Sequence, residues 1–114
     1  MQEMLLEEVR LKESEIRDQI IEYLEKKGCM VWKDKQPTRK IRHNFSKSHG
    51  TPDILGILRD GTFLGIEVKT ENGKIKDNQK EFIKKANQRY AVCFVARSLQ
   101  DVIDYEKKEK IILC

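Results

Sequence analysis

The chain has 114 residues, of which 39% are hydrophobic and 37% are charged, and its net charge is +4. This length fits one domain with a modest core, and the balance of apolar and charged residues excludes a disordered chain. No apolar run approaches the length of about 18 residues that indicates a membrane span, and the acidic N-terminus is unlike a secretory signal, so we expect a cytoplasmic protein.

The three cysteines, Cys29, Cys93 and Cys114, lie far apart in the sequence. Their spacing matches neither a zinc site nor a disulfide framework. Unpaired thiols are typical of proteins in a reducing compartment. The sequence therefore predicts three free cysteines.

The first predicted element is a helix from Ser14, as N-cap, to about Lys27, which ends at Gly28. Residues 1–13 precede it, and their pattern fits a short helix, a frayed tail or a dimer contact equally well. The predicted buried face follows the helical period through Ile16, Ile20, Tyr23 and Leu24.

Glu15 lies about 100° around this helix from Ile16, at the edge of the buried face. A carboxylate there either leans toward a neighbouring site or complements the helix dipole from the first turn. The pattern alone favours the second role.

A short apolar run at residues 29–32 predicts the first strand, and a long polar loop follows over residues 33–49. The loop holds six lysines and arginines against Asp34 alone. A long loop of this charge is either a polyanion-binding surface or a solvated, disordered segment, and its place just before the hairpin described next favours binding. The candidate DNA-binding residues are Lys35, Arg39, Lys40, Arg42, His43, Lys47, His49 and, after the hairpin, Lys74.

Two apolar runs, at residues 54–58 and 63–68, predict a β-hairpin. Asp60-Gly61 between them is a dipeptide preferred in two-residue turns, in which both central residues need positive φ.

This hairpin brings Asp53, at the start of its first strand, close to Glu67 on the second. Strand alternation places Glu67 and Lys69 on the same face. Two carboxylates and one ammonium group would therefore converge, which suits a divalent metal and a phosphodiester. The same residues also fit a solvated face that carries weak ion pairs.

The remaining pattern predicts a helix from about Asp77 to Arg89 with Gln79 in its first turn, and a buried strand over residues 91–96. Ser98 is expected to cap a third helix through about Lys107, and residues 111–113 fit an edge strand. This order predicts an α/β fold in which a mixed sheet is flanked by helices on both faces.

At these residues the chain resembles the PD-(D/E)xK nucleases, and its wider pattern resembles their virus-type replication-repair branch, the VRR-NUC family. The resemblance covers about residues 14–103. It implies a restriction-endonuclease-like αβββαβ core in one domain over residues 1–114, with an N-terminal extension at 1–13 and a basic loop at 33–49. The matching residues are Gly50, Pro52, Asp53, Asp60, Gly61, Phe63, Leu64, Ile66, Glu67, Val68, Lys69, Gly73, Lys74 and Gln79, with Glu15, Ile16, Tyr23 and Leu24 upstream.

The resemblance implies an endonuclease that uses Mg²⁺, with Mn²⁺ able to substitute, to hydrolyse DNA phosphodiester bonds. In it Lys69 would orient or deprotonate the attacking water, and Gln79 would position that water or Lys69. The implied metal ligands are Asp53, Glu67, the Val68 carbonyl and Glu15.

Small members of the family suggest a homodimer that cuts branched DNA, such as four-way junctions, in replication, recombination or repair in a bacterium or a phage-infected host. The competing interpretations are a non-catalytic, basic nucleic-acid-binding module and a protein-interaction domain. No phosphate-binding Gly-x-x-x-x-Gly-Lys-Ser/Thr loop is present, so no nucleotide cofactor is expected.

Overall fold

A computed structural model of the chain describes residues 10–34, 49–111 and 113–114. Within these ranges no helix combines the length and the apolar character needed to cross a membrane. The elements, in chain order, are α1 (Glu13–Lys26), β1 (Met30–Lys33), β2 (Ile54–Ile57), β3 (Phe63–Val68), α2 (Asp77–Gln88), β4 (Val92–Ala96) and α3 (Leu99–Glu109).

The four strands form one sheet in the order β1-β2-β3-β4. β2 runs antiparallel to both β1 and β3, whereas β4 runs parallel to β3. A parallel pair needs a crossover connection, and α2 supplies it. The predicted mixed sheet is therefore confirmed.

The core lies on one face of the sheet, where α1 packs against β1 and β3 and α3 packs against β4. Ile20, Leu24, Ile54, Ile66 and Val102 are all completely buried there. Each such side chain contributes roughly 1.5–3 kcal/mol by leaving water. On the opposite face Phe63 of β3 packs against Phe82 of α2, with ring centroids 6.3 Å apart. Helices thus flank both faces, as predicted.

Two local predictions were wrong. Helix α1 begins one residue before Ser14, with Lys12 as its N-cap, because the Glu15 carboxylate accepts the Lys12 backbone N–H at 2.9 Å. The hairpin connection spans residues 58–62, and only Gly61 of its central dipeptide has positive φ. The Asp60 side chain accepts the Thr62 N–H at 2.9 Å, which holds a longer turn than the two-residue type.

The C-terminal residues also differ from expectation. Ile111 and Leu113 lie outside any strand, and position 112 is outside the described residues. Leu113 is instead fully buried in the core, and Cys114 forms a disulfide with Cys29, with Cα atoms 4.8 Å apart. Only Cys93 stays free, as a buried thiol. Spacing could not reveal this pairing, because it joins positions separated by 85 residues.

Candidate active site

The hairpin register brings the two predicted acids together. Ile54 pairs with Ile66, so Asp53 stands across from Glu67 at the end of the β2–β3 pair. The Asp53 carboxylate accepts the Val68 backbone N–H at 2.9 Å, which fixes its position. Asp53 is held from behind as well, because Pro52 is fully buried and packs so closely on Gly65 that a Cβ there would lie 2.9 Å from the proline ring.

Glu67 and Lys69 are buried charged residues, with exposed fractions of only 2% and 8%. The Lys69 Nζ lies 3.8 Å from Glu67 Oε2, and the Gln79 Nε2 donates to the same oxygen at 2.9 Å. The other oxygen, Oε1, is buried and has no hydrogen-bond partner among the described residues. Buried polar atoms without a partner are rare, and this oxygen is therefore available to bind a ligand.

The electrostatics of this cluster favour an added cation. Burial, together with the neighbouring Asp53 carboxylate, raises the pKa of Glu67 to about 8, despite the opposing effect of Lys69. Glu67 therefore retains a proton near neutral pH when no cation is present. A divalent metal can replace that proton and bind the free oxygen, and carboxylate oxygens are the ligands that Mg²⁺ prefers. The donor set thus fits the metal.

Of the two acids at the start of α1, the structure places Glu13, and not Glu15, beside Asp53. Glu15 is exposed, and its carboxylate caps the helix, so the structure does not bring it to the site. Glu13 instead lines a cavity of about 270 Å³ together with Asp53 and Val68, and its charge adds to the raised pKa of Glu67. The described residues contain no ready cluster of three or more His, Cys, Asp or Glu side chains, so backbone carbonyls and waters would complete a metal shell.

Sequence reasoning missed Glu13 because it took Ser14 as the N-cap, two residues after the observed N-cap Lys12, and so left Glu13 outside the helix. A usable signal was present, since Glu13 lies three residues before Ile16 and seven before Ile20, on the same helical stripe. The stripe that carries the core residues therefore continues into the site.

Arg17 is a second residue that the sequence did not single out. Its side chain lines the same cavity as Asp53 and Glu13, and its guanidinium pairs with Asp18 at 3.0 Å. An arginine beside a phosphodiester site can bind two phosphate oxygens at once.

Gln79 occupies the first turn of α2, as predicted, and its amide is used at both ends. Its Nε2 donates to Glu67, while its Oε1 accepts the backbone N–H of Lys76 at 2.8 Å and caps the helix. The structure thus places Gln79 against the Glu67 carboxylate, whereas the resemblance implied a contact with the attacking water or Lys69.

Arg97, just after β4, holds the loop that leads from the site to α2. Its Nη1 donates to the Thr70 and Gly73 carbonyls, each at 2.7 Å, and to the Glu71 carbonyl at 3.2 Å. No sequence pattern indicated this role, because every residue has a backbone carbonyl and such contacts do not depend on residue type.

Two of the predicted DNA-binding residues, His49 and Lys74, are described, and both are exposed. His49 lines an open groove of about 590 Å³ with Phe82 and Lys85 of α2 and with Arg89, which follows that helix. Glu81 also lines the groove and pairs with Lys85 at 3.5 Å, so the groove carries charges of both signs. The other predicted residues lie outside the described part of the chain: Lys35, Arg39, Lys40, Arg42, His43 and Lys47.

Comparison with known proteins gives two findings. The family model described as the VRR-NUC domain matches residues 4–98. A solved structure described as a VRR_NUC domain protein superposes with a TM-score of 0.61 over 87% of this chain and 88% of that chain, at 21% sequence identity. At this identity the likeness establishes the shared fold. No curated protein gives a significant match.

Proposed function

This chain belongs to the VRR-NUC domain family, a family of nucleases, and from that premise we propose that it is a metal-dependent endonuclease that hydrolyses DNA phosphodiester bonds. The observation that carries the proposal is Glu67, a buried carboxylate that stands across from Asp53, keeps one oxygen without a partner among the described residues, and has Lys69 beside it.

Mg²⁺ is the proposed metal, and Mn²⁺ should replace it because both prefer oxygen ligands. The residues that would hold it are Asp53, Glu67 and the Val68 carbonyl, and Glu13, in the place that the sequence assigned to Glu15, would act through a bound water. Bound there, the metal would neutralise charge on the scissile phosphate and lower the pKa of the attacking water.

Side chains of the protein would position the attacking water, the metal ligand Glu67 and the substrate. Lys69, held beside Glu67, would orient the attacking water and offset the charge that develops in the transition state. Gln79 would keep Glu67 turned so that its free oxygen faces the metal. Arg17, in the same cavity as Asp53, would bind a phosphate oxygen of the substrate.

The decisive test is incubation of plasmid and junction DNA with Mg²⁺, Mn²⁺ or EDTA, using wild type, Asp53→Ala and Lys69→Ala. We expect both variants to lose cleavage by about 10²–10⁴-fold while DNA affinity stays within several-fold. Lys84→Ala is the matched control, because this lysine is exposed on α2. A wild-type protein that binds DNA but shows no metal-dependent cleavage would favour the non-catalytic binding module instead.

A matched pair of variants tests the assignment of Glu13. Glu13→Gln should weaken Mn²⁺ binding by about 10–100-fold if its carboxylate is a ligand or orients one. Glu15→Gln should leave Mn²⁺ affinity unchanged, because that side chain serves the helix cap. Calorimetric titration with Mn²⁺ measures both, and equal effects of the two substitutions would contradict the assignment.

We also propose that the active form is a homodimer whose two sites cut branched DNA in the cytoplasm, during replication, recombination or repair. A group of exposed apolar residues on β1 and β2 supports a second copy: Met30, Trp32 and Ile57, which are 61%, 42% and 43% exposed. Sedimentation would count the subunits, and cleavage of single-stranded, duplex, flap and junction DNA would define the substrate. A monomer that cuts only single strands would contradict this part of the proposal.

A further inference from the structure

Gly50 sits where the chain enters the segment that carries Asp53, and it packs against the start of α2. It is buried and has a φ of +73°. A Cβ placed on it would overlap the Asn78 carbonyl oxygen and lie 2.8 Å from the Gln79 backbone nitrogen. Any side chain at position 50 would therefore push against the peptide bond between Asn78 and Gln79.

That peptide bond belongs to the turn that positions the Gln79 side chain. The Gln79 amide bridges the Lys76 backbone N–H and Glu67 Oε2, with distances of 2.8 and 2.9 Å. Both bonds depend on where the first turn of α2 lies. A hydrogen bond weakens steeply when its donor moves away from the acceptor, so a shift of this turn by about 1 Å would break the bond to Glu67.

We propose that Gly50 is a positioning residue. Its lack of a side chain lets the segment before Asp53 press directly on the first turn of α2, and this contact holds the Gln79 amide against Glu67. One short segment thus places Asp53 and, through Gln79, sets the orientation of Glu67. The catalytic consequence rests on the proposed nuclease function, whereas the geometric one does not.

A second positive-φ glycine provides a matched control. Gly61, in the hairpin turn, has a φ of +89°, and a Cβ placed on it would have no atom within 4 Å. Alanine at either position introduces a backbone conformation that side chains disfavour. Only alanine at position 50 also collides with α2. Any difference between the two variants therefore reports the contact and not the loss of a flexible residue.

The first measurement does not depend on activity. In ¹H–¹⁵N NMR spectra of the metal-free protein, the hydrogen-bonded Gln79 side-chain NH₂ should give a pair of resonances protected from solvent exchange. We expect Gly50→Ala to lose that protection and Gly61→Ala to keep it. Gln79→Ala identifies the resonances. If Gly50→Ala keeps the protected pair, the proposal is overturned.

The second measurement is a double-mutant cycle on Mn²⁺ affinity and on single-turnover cleavage. Gln79→Ala and Gly50→Ala should each reduce both by about 10–100-fold, as expected when a residue that orients a metal ligand is lost. Because Gly50 acts through Gln79, the double variant should be no worse than Gln79→Ala alone. Multiplicative losses would show that Gly50 acts by another route and would overturn the proposal.

These outcomes separate the inference from the nuclease proposal. A wild-type protein without metal-dependent cleavage refutes the nuclease, while the NMR comparison still decides the role of Gly50. If Gly50→Ala does not fold in buffer, the same spectra are recorded in an osmolyte such as sucrose, which favours the compact state, with Gly61→Ala alongside. A Gly50→Ala protein that remains unfolded there would show a requirement of the whole fold and would overturn the positioning role.

Discussion

The proposed chemistry of this site depends mainly on Glu67 and on the groups that surround it. It is nearly excluded from water, faces a second carboxylate and contacts one ammonium and one amide group. Taking a charge out of water is costly unless partners compensate. Lys69 and Gln79 compensate only in part, so the metal-free site holds a proton that a cation can displace.

This proton predicts a pH dependence of stability in the metal-free protein. The folded state keeps the proton on Glu67 up to about pH 8, whereas the unfolded chain releases it near the ordinary pKa of 4.5. The folded state thus binds more protons between these values, so the free energy of unfolding should fall as pH rises, with a slope of at most about 1.4 kcal/mol per pH unit. Urea unfolding in EDTA at pH 5.5 to 8.5 measures it.

Glu67→Gln provides the control for this prediction. Glutamine cannot titrate, so the slope should flatten in that variant. Adding Mn²⁺ should stabilise the wild type more at pH 8 than at pH 6, because a smaller fraction of the Glu67 side chains is protonated at pH 8 and competes with the metal. Parallel pH curves for wild type and Glu67→Gln would contradict the assignment of the proton to this residue.

Sequence reasoning could bring Asp53 and Glu67 together because both lie on one hairpin, but it could not fix the register, since the observed turn is longer than the predicted two-residue type. The resemblance assigned the α1 acid to Glu15, whereas the structure places Glu13 beside Asp53 and uses Glu15 in the cap of α1. Sequence reasoning did not find Arg17 or Arg97. Arg17 lines the cavity with residues far along the chain, and Arg97 contacts backbone carbonyls, and neither arrangement leaves a pattern in sequence.

At the scale of elements, Glu106 of α3 joins two helices and the C-terminal residues. Its carboxylate accepts the Tyr23 hydroxyl at 2.8 Å, the Lys27 Nζ at 2.6 Å and the Leu113 backbone N–H at 3.2 Å. Burial acts to raise the pKa of Glu106, but these three hydrogen bonds outweigh it and lower the pKa below its ordinary value. The Glu106 carboxylate is therefore ionised in the folded protein, and its hydrogen bonds connect α3 with α1 and with the C-terminal residues.

We expect Glu106→Ala to reduce the free energy of unfolding by about 1–3 kcal/mol, because it leaves three donors without their acceptor. The matched control is Glu22→Ala, which removes a fully solvated pair with Lys26 at 3.7 Å and should cost less than about 0.5 kcal/mol. Since the folded pKa of Glu106 is lowered, its contribution is present above about pH 4.5 and is lost as pH falls below that. Urea unfolding at pH 7 and pH 4 measures both effects, and equal losses for the two variants would contradict this role of Glu106.

The order of elements was predictable because apolar periodicity distinguishes helix from strand over most of the chain. The boundaries of the helices and strands were less predictable than their order. The backbone N–H groups of Lys12, at the start of α1, and of Thr62, in the hairpin turn, donate to the Glu15 and Asp60 side chains, and the same residue types commonly lie in solvent without such bonds. Boundaries that depend on side-chain hydrogen bonds of this kind are therefore the least visible in sequence.

Across the whole molecule, the C-terminal residues close the fold over α1. Leu113 fills the core, and the Cys114 sulfur lies near the Leu24 carbonyl while it joins Cys29. Cross-linking positions 85 residues apart restricts the unfolded chain strongly. In a reducing cytoplasm the same two residues would remain thiols. The pair therefore adds stability only under oxidising conditions.

The Cys29–Cys114 pair should make the stability of the protein depend on its redox state. Oxidised wild type should be more stable to urea than reduced wild type by about 2–4 kcal/mol. Cys114→Ser should match the reduced protein with or without reductant, whereas Cys93→Ala should keep the redox response, since Cys93 is the free thiol. Thiol counting after unfolding should find one reactive group in the oxidised protein and three after reduction. Three reactive thiols after oxidation of the folded protein would show that the two sulfurs do not pair in solution, and the core contact of Leu113 alone would then hold the C-terminus.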